Sequence, residues 1–221
     1  MNNIFNKDYF ENGVAKKISC YENYRWIPEL TYPMAYAITD KLKLNFSDKV
    51  LEYGCAHGYL VKALNDFKIN AYGVDISSYA ISKASADIKK KLFTITKKNF
   101  SKKLKKIAGN ENFKYTIAKD VFEHIKPKDL LAVIRILSNF TKYLFVIVPL
   151  GDNGKYRIQS YGEDITHLIA ENEEWWKNIL EKNNRFKLIN FGYRVSGIKD
   201  KWIGVHKKGN GFFLLKSKFC K

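Results

Sequence analysis

An α/β domain built on an open, doubly wound sheet is the fold class this sequence predicts, and three observations predict it. Lys49 to Gly58 reads as a strand end at Val50-Leu51, an acid at Glu52, then a turn bracketed by Gly54 and Gly58. An apolar helical pattern follows at Leu60, Val61 and Leu64, and a second short strand, Ala71 to Val74, ends in Asp75. Strand-type and helix-type patterns then alternate along the chain and close on two consecutive strands.

Residues 1–28 precede the sheet as an aromatic and polar segment without a clean period, including Tyr9-Phe10 and Tyr21 to Pro28. They are expected to form a cap over the site, with residues 29–221 as the single domain. Pro28 opens a helix to about Leu44, with Leu30, Met34, Ala37, Ile38 and Leu42 on one face. The helix after the glycine turn extends to about Phe67. Ser77 is placed to N-cap another, running to about Lys90. A weak strand follows at Leu92 to Thr96. The basic segment Lys97 to Gly109 carries Phe100, Leu104 and Ile107 at helical spacing and reads as a solvated amphipathic helix. Phe113 to Ala118 is a strand, Pro127 opens a helix through Asn139, and Tyr143 to Val148 is the strongest strand signal in the chain. Leu150 to Glu171 is a loop long enough to suspect function. A helix from Glu173 to Lys182 and strands at Lys187 to Val195 and Phe212 to Lys216 complete seven strands.

The chain has 221 residues, 46% hydrophobic and 28% charged, which suits one globular domain. No apolar run approaches the roughly 20 residues a bilayer span needs, and the first residues lack a signal-peptide core, so a cytoplasmic location is expected. Three scattered cysteines, Cys20, Cys55 and Cys220, form no disulfide or metal framework. The net charge of +17 has two readings. One is a polyanionic partner. The other is compositional bias, because the basic residues are almost all lysines and lie along the whole chain, whereas phosphate and base recognition favours arginine.

The glycine spacing does not suit a dinucleotide, whose pyrophosphate wants G-x-G-x-x-G. Glu52 would repel a pyrophosphate and suits a cationic ligand. Glu52-x-Gly54-Cys55-Ala56-His57-Gly58, followed by Gly73-Val74-Asp75-Ile76-Ser77, resembles motifs I and II of the class I S-adenosylmethionine-dependent methyltransferases. The chain departs from that family's acid-x-Gly-x-Gly-x-Gly pattern at Ala56. The resemblance implies a Rossmann-like, seven-stranded mixed sheet with a C-terminal antiparallel hairpin, and S-adenosyl-L-methionine as cofactor. It also implies site residues. Glu52, Gly54, Cys55, Ala56 and Gly58 would line the cofactor's methionine part, with backbone groups of Gly54, Cys55 and Gly58 holding it. Asp75 would take the ribose hydroxyls and Ile76 would pack on the adenine.

Asp120-Val-Phe-Glu-His124 resembles the family's Asp-x-x-Glu-His element, which puts Asp120 at the cofactor or the reacting centre. Glu123 and His124 are expected to cap the next helix, with a catalytic role for His124 as the alternative. In the long loop, Asp164-x-x-His167 resembles the Asp-x-Thr-His element of small-molecule and glycan methyltransferases. His167, oriented by Asp164, is the candidate general base. Lys155 and Arg157 would bind an acceptor's negative charge, helped by Tyr21, Tyr24 and Arg25 from the cap. No metal site is expected, because the chain has four histidines and His57 and His124 fall in the cofactor half. The implied activity is O-methylation of a small polar acceptor, anionic or carbohydrate, such as a sugar nucleotide or phosphate precursor of a surface polysaccharide. The alternatives are an RNA or tRNA methyltransferase and a non-catalytic partner subunit. The chain lacks the Asn/Asp-Pro-Pro-aromatic element and the Pro-Cys pair of nucleobase methyltransferases, which weighs against nucleic acid.

Overall fold

The structure is a computed structural model that describes residues 4–220. In chain order the strands are β1 (Lys49–Tyr53), β2 (Asn70–Asp75), β3 (Leu92–Thr94), β4 (Phe113–Lys119), β5 (Thr141–Pro149), β6 (Gly151–Asp152), β7 (Lys155–Tyr156), β8 (Phe186–Gly192) and β9 (Asn210–Ser217). β6 and β7 pair only with each other. The remaining seven form one sheet in the order β3-β2-β1-β4-β5-β9-β8. β1 to β5 run parallel, and β9 lies antiparallel between β5 and β8. The seven-stranded mixed sheet and its C-terminal hairpin are as the sequence predicts.

The helices are α1 (Lys7–Glu11), α2 (Pro28–Leu42), α3 (Tyr59–Asp66), α4 (Ser78–Ser82), α5 (Phe100–Ala108), α6 (Pro127–Leu137) and α7 (Glu173–Glu181). Successive strand residues feed opposite faces of the sheet. Leu51, Ala118 and Leu144 join the core under α5, α6 and α7, whereas Val50, Ile117 and Phe145 join the core under α2 and α3. Covered on both faces, the central strands read as nearly continuous apolar runs. The solvated face expected of the Lys97 to Gly109 segment is present in α5, where Phe100, Leu104 and Ile107 are buried and Lys105 and Lys106 are exposed.

Two elements differ from expectation. The helix after Ser77 stops at Ser82 instead of near Lys90, because the chain turns to bury Ala84 and Ile88. The segment's Ala and Lys residues favour helix, and the packing of Ala84 and Ile88 overrides that preference. The segment before the sheet contains α1, N-capped by Asn6, whose side chain accepts from the amides of Asp8 and Tyr9 at 2.9 and 3.3 Å. Tyr9 and Phe10 of α1 pack with Tyr21, Tyr24 and Tyr79 over Ala56 and Ala80. The segment therefore lies on the glycine turn.

That turn carries left-handed backbone at Gly54 (φ 79°), Ala56 (φ 47°) and Gly58 (φ 79°). Gly54 is needed for a second reason, since a Cβ there would lie 2.4 Å from Val121 Cγ2 in the loop after β4. Ala56 has no such relief, and a left-handed L-residue costs roughly 1–2 kcal/mol. Replacing it by glycine removes that cost but adds chain entropy to the unfolded state, by about 0.4–1 kcal/mol. Ala56→Gly is therefore expected to raise stability by a few tenths to about 1 kcal/mol in urea unfolding. A lowered unfolding midpoint would contradict the assignment.

Candidate active site

The loops after β1, β2, β4 and β5 meet at the carboxyl edge of the sheet, where open α/β folds bind ligands. On the β1–β2 side the turn is held by its own backbone. Gly54 and Cys55 donate to the Val74 carbonyl at 2.8 and 3.1 Å, and Gly58 donates to the Cys55 carbonyl at 2.8 Å. Ala56 donates to Asp75 Oδ2 at 2.8 Å. These amides donate inside the turn, so among its backbone groups it is the carbonyls that could meet a ligand. The turn also fixes the two carboxyls beside it. Asp75 also accepts from the Ser77 amide at 2.7 Å on Oδ1, so its plane is set while each oxygen keeps a further lone pair. Burial raises its pKa above the ordinary carboxyl value. Ile76, next to it, is exposed and offers an apolar surface.

Glu52 is buried, and its Oε2 has no hydrogen-bond partner. Burial pushes its pKa up to about 8 against the opposing pull of Lys119. A carboxyl at the foot of a glycine turn, short of a donor, fits a ligand that brings one. The amino group of S-adenosylmethionine's methionine part is such a donor, with the Asp75 lone pairs and the Ile76 surface placed for its nucleoside. Against the turn lies His57, buried among the rings of Phe10, Tyr24 and Tyr59 and kept neutral by burial, its pKa down to about 4.

The β4 loop supplies the second half. β4 pairs with β1 in register Glu52↔Ile117, so its loop leaves beside the glycine turn. Asp120 has left-handed backbone (φ 53°) and accepts from Lys119 Nζ at 2.6 Å and Lys199 Nζ at 2.5 Å. Burial opposes its ionisation, but the two lysines hold it well below the usual carboxylate range. Glu123 is fully buried and both its oxygens lack a partner. Burial, then the charge of Asp120, raises its pKa well above the ordinary value.

Asp164 ties the long loop to the cap. Its Oδ2 accepts from the Tyr9 hydroxyl at 2.8 Å, and its Oδ1 accepts from the amide and hydroxyl of Thr166 at 2.9 and 2.6 Å. The Thr166 hydroxyl has therefore given its proton to Asp164 and can only accept from His124 Nδ1, 2.7 Å away. His167 Nδ1 lies 2.6 Å from the Tyr161 carbonyl, which also only accepts. Both imidazoles thus carry hydrogen on Nδ1 and a lone pair on Nε2. Their rings stand 4.5 Å apart. Burial lowers both pKa values, for His124 to about 4, so both are neutral near pH 7.

The expected Asp164–His167 pair is therefore corrected. Asp164 orients His124 through Thr166, and a backbone carbonyl orients His167. Glu123 and His124, expected to cap a helix, face His167 instead. Arg157 is also corrected. It is paired with Asp152 at 2.7 Å and Glu173 at 2.8 Å and donates to the Lys208 carbonyl, so its charge is already neutralised. Lys155 is exposed and, with Tyr156, Gln159, Asp164 and His167, lines a cavity of about 580 Å³. Tyr21 and Tyr24 sit within the aromatic stack of the cap, and Arg25 is exposed beside them. Tyr9 and Lys199 escaped sequence reasoning. An isolated tyrosine in a segment without a period and one lysine among many carry no local signal.

Because Glu52 keeps its proton when folded, the unfolded chain binds fewer protons above about pH 4.5. Its contribution to stability is thus lost as pH rises from there to about 8. Glu52→Gln is expected to be more stable than wild type at pH 8, by about 1–3 kcal/mol. The two should converge toward pH 4.5 in thermal unfolding. A gap independent of pH would contradict the burial of a neutral carboxyl.

The sequence matches the family model described as a methyltransferase domain over residues 26–191. No curated protein matches it. Solved structures share the fold. An S-adenosylmethionine-dependent methyltransferase from Archaeoglobus fulgidus aligns with a TM-score of 0.60 and 16% identity, over 86% of this chain and 97% of that one. A second, from Clostridium acetobutylicum, gives 0.60 and 14%, over 93% and 95%. The magnesium protoporphyrin IX methyltransferase of Synechocystis, with bound S-adenosylhomocysteine, gives 0.56 and 16%, over 84% and 80%. The family match spans well over half of the chain, the fold agrees, and the residues beside the turn fit the cofactor. The chain belongs to the methyltransferase-domain family, and its methyl donor is S-adenosyl-L-methionine.

Proposed function

We propose that this methyltransferase acts on an oxygen atom of a small, polar, anionic acceptor, of the class of sugars, sugar nucleotides or sugar phosphates. The observation that carries the reading is the His124–His167 pair, two neutral imidazoles with Nε2 lone pairs beside Asp120, with His167 bordering the 580 Å³ cavity. An alcohol must lose its proton as its oxygen is methylated, and a neutral imidazole Nε2 is a suitable acceptor for it. Lys155, the one lysine of a lining that also carries Asp164 and Glu171, is the group that would meet a negative charge on the acceptor. A surface-polysaccharide precursor is the narrower reading, and it rests on the resemblance of the Gly-Cys-Ala-x-Gly-Tyr-Leu and Asp-x-Thr-His elements.

In this reading each residue near the site has a role. When bound, S-adenosylmethionine supplies an electrophilic methyl group on a sulfonium. Glu52 and Asp75 hold the donor from the turn side. Asp120, held by Lys119 and Lys199, would border the donor's methionine end. His167 Nε2 would take the proton that the acceptor hydroxyl gives up. The cap, tied down through Tyr9, excludes water. Most of the acceleration in such an in-line displacement comes from positioning, worth up to roughly 7–11 kcal/mol.

The test is a methyl-transfer screen over sugars, sugar nucleotides, sugar phosphates and RNA, paired with an RNA mobility shift across salt concentrations. The expected outcome is transfer to a hydroxyl of a phosphorylated or nucleotide-linked sugar, with no shift at low salt. Glu52→Gln is expected to weaken S-adenosylhomocysteine binding at least about tenfold, because Gln cannot give up a proton to form the charge-assisted hydrogen bond that the ligand's ammonium group draws from Glu52. Transfer to RNA, with a shift lost steeply as salt rises, would overturn the small-molecule reading.

A further inference from the structure

Glu123, His124 and His167 are more completely arranged than proton transfer alone requires. One ligand-type atom from each lies within 4.8 Å of the other two. Glu123 is wholly buried with both carboxylate oxygens unpartnered. A native structure rarely leaves a buried carboxyl in that state without a ligand or function to complete it. The nearby cations do not complete it, since Lys119 and Lys199 are both engaged with Asp120.

The two imidazoles show the same preparation. Each spends its Nδ1–H on an outer partner, His167 on the Tyr161 carbonyl and His124 on Thr166, which in turn is held by Asp164. This is the second-shell arrangement of metal-ligating histidines, which fixes the tautomer and aims the Nε2 lone pair. The ring planes are fixed as well. Phe5 packs edge-on against His124 at 5.6 Å and Tyr156 against His167 at 5.4 Å. Ligands bonded at about 2.0–2.2 Å to one ion lie roughly 3–4 Å apart, so closing from 4.8 Å takes only side-chain rotation.

We propose that Glu123, His124 and His167 bind one divalent first-row transition metal ion, of the class of Zn²⁺ or Mn²⁺, at the acceptor end of the site. Two imidazole nitrogens and one carboxylate favour such an ion over Mg²⁺, which prefers oxygen ligands and retains water. Three protein ligands leave positions open, the pattern of a catalytic rather than a structural site. The ion's role in turnover rests on the oxygen-acceptor reading, whereas its binding does not. When bound, it supplies Lewis-acid polarisation of an acceptor oxygen. His167 would then hold the ion instead of taking the proton, and the acceptor would coordinate as its alkoxide, its proton released to solvent as it binds.

The full chain, stripped with chelator and dialysed, is titrated calorimetrically with ZnCl₂, MnCl₂ and MgCl₂ separately, and its Co²⁺ absorption spectrum is recorded. S-adenosylhomocysteine binding is measured on the same preparations. The expected result is one Zn²⁺ or Mn²⁺ per chain, with Mg²⁺ at least tenfold weaker. His124→Ala, His167→Ala and Glu123→Gln should each weaken binding more than tenfold. Thr166→Val, which touches only the outer partner, should weaken it about tenfold, while exposed His206→Ala leaves it unchanged. Thermal unfolding establishes that each variant is folded, and the wild-type Co²⁺ spectrum reports imidazole ligation without any variant. Absence of stoichiometric binding, or binding that survives loss of both imidazoles, would overturn the proposal. Metal binding without S-adenosylhomocysteine binding would instead count against the cofactor assignment alone.

Discussion

Two buried carboxyls at the carboxyl edge of a parallel sheet organise the structure: Glu52 near the end of β1, whose Oε2 has no partner, and Glu123 in the turn after β4, with none on either oxygen. Leaving a buried polar group unsatisfied costs about 1–3 kcal/mol. The surrounding strands are packed tightly enough to hold both in place. Val50 and Leu51 before Glu52, and Ile117 and Ala118 before the β4 loop, are wholly buried. The register of β1 on β4 brings the two carboxyls' loops side by side. What the fold leaves incomplete, a ligand completes. Glu52 is short of a donor at Oε2, and Glu123 at both oxygens.

Asp164 connects these halves to the cap. One of its oxygens is used on Tyr9 of α1 and the other on Thr166, which fixes the tautomer of His124. The cap therefore does more than cover the turn, because its anchor is the same carboxylate that orients an imidazole. Ser77 adds a second anchor, donating to the Phe5 carbonyl at 2.5 Å, and the Phe5 ring rests on His124.

The sheet was legible in the sequence because its signals are local. Glu52, Gly54, Gly58 and Asp75 stand at fixed offsets around short apolar runs, and the β-branched run ending at Pro149 can hardly be read otherwise. The acceptor side was less legible because its contacts are long-range. Asp164 and His167 lie three positions apart, which suggests a pair, yet the loop turns so that Asp164 meets Tyr9, 155 residues away. Arg157 looked like an anion binder until the fold placed Asp152 and Glu173 against it. His124 was assigned to the cofactor half by its position in the chain, and only the return of the long loop brings His167 to it. Ala56 reads as a conservative replacement until its φ of 47° shows why glycine is the usual occupant.

The central claim is that the glycine turn and the imidazole pair face one shared site. The most direct measurement is a crystal structure of the chain with S-adenosylhomocysteine, reading the distance from the cofactor sulfur to Nε2 of His124 and His167. Methyl carbon and acceptor oxygen react from about 3–3.5 Å, and the oxygen hydrogen-bonds its base at about 3 Å. The account thus requires the sulfur within about 8 Å of at least one Nε2, with Glu52 and Asp75 on the ligand. A sulfur beyond about 12 Å from both nitrogens, too far for one acceptor to bridge, would contradict it, as would a ligand bound away from the turn.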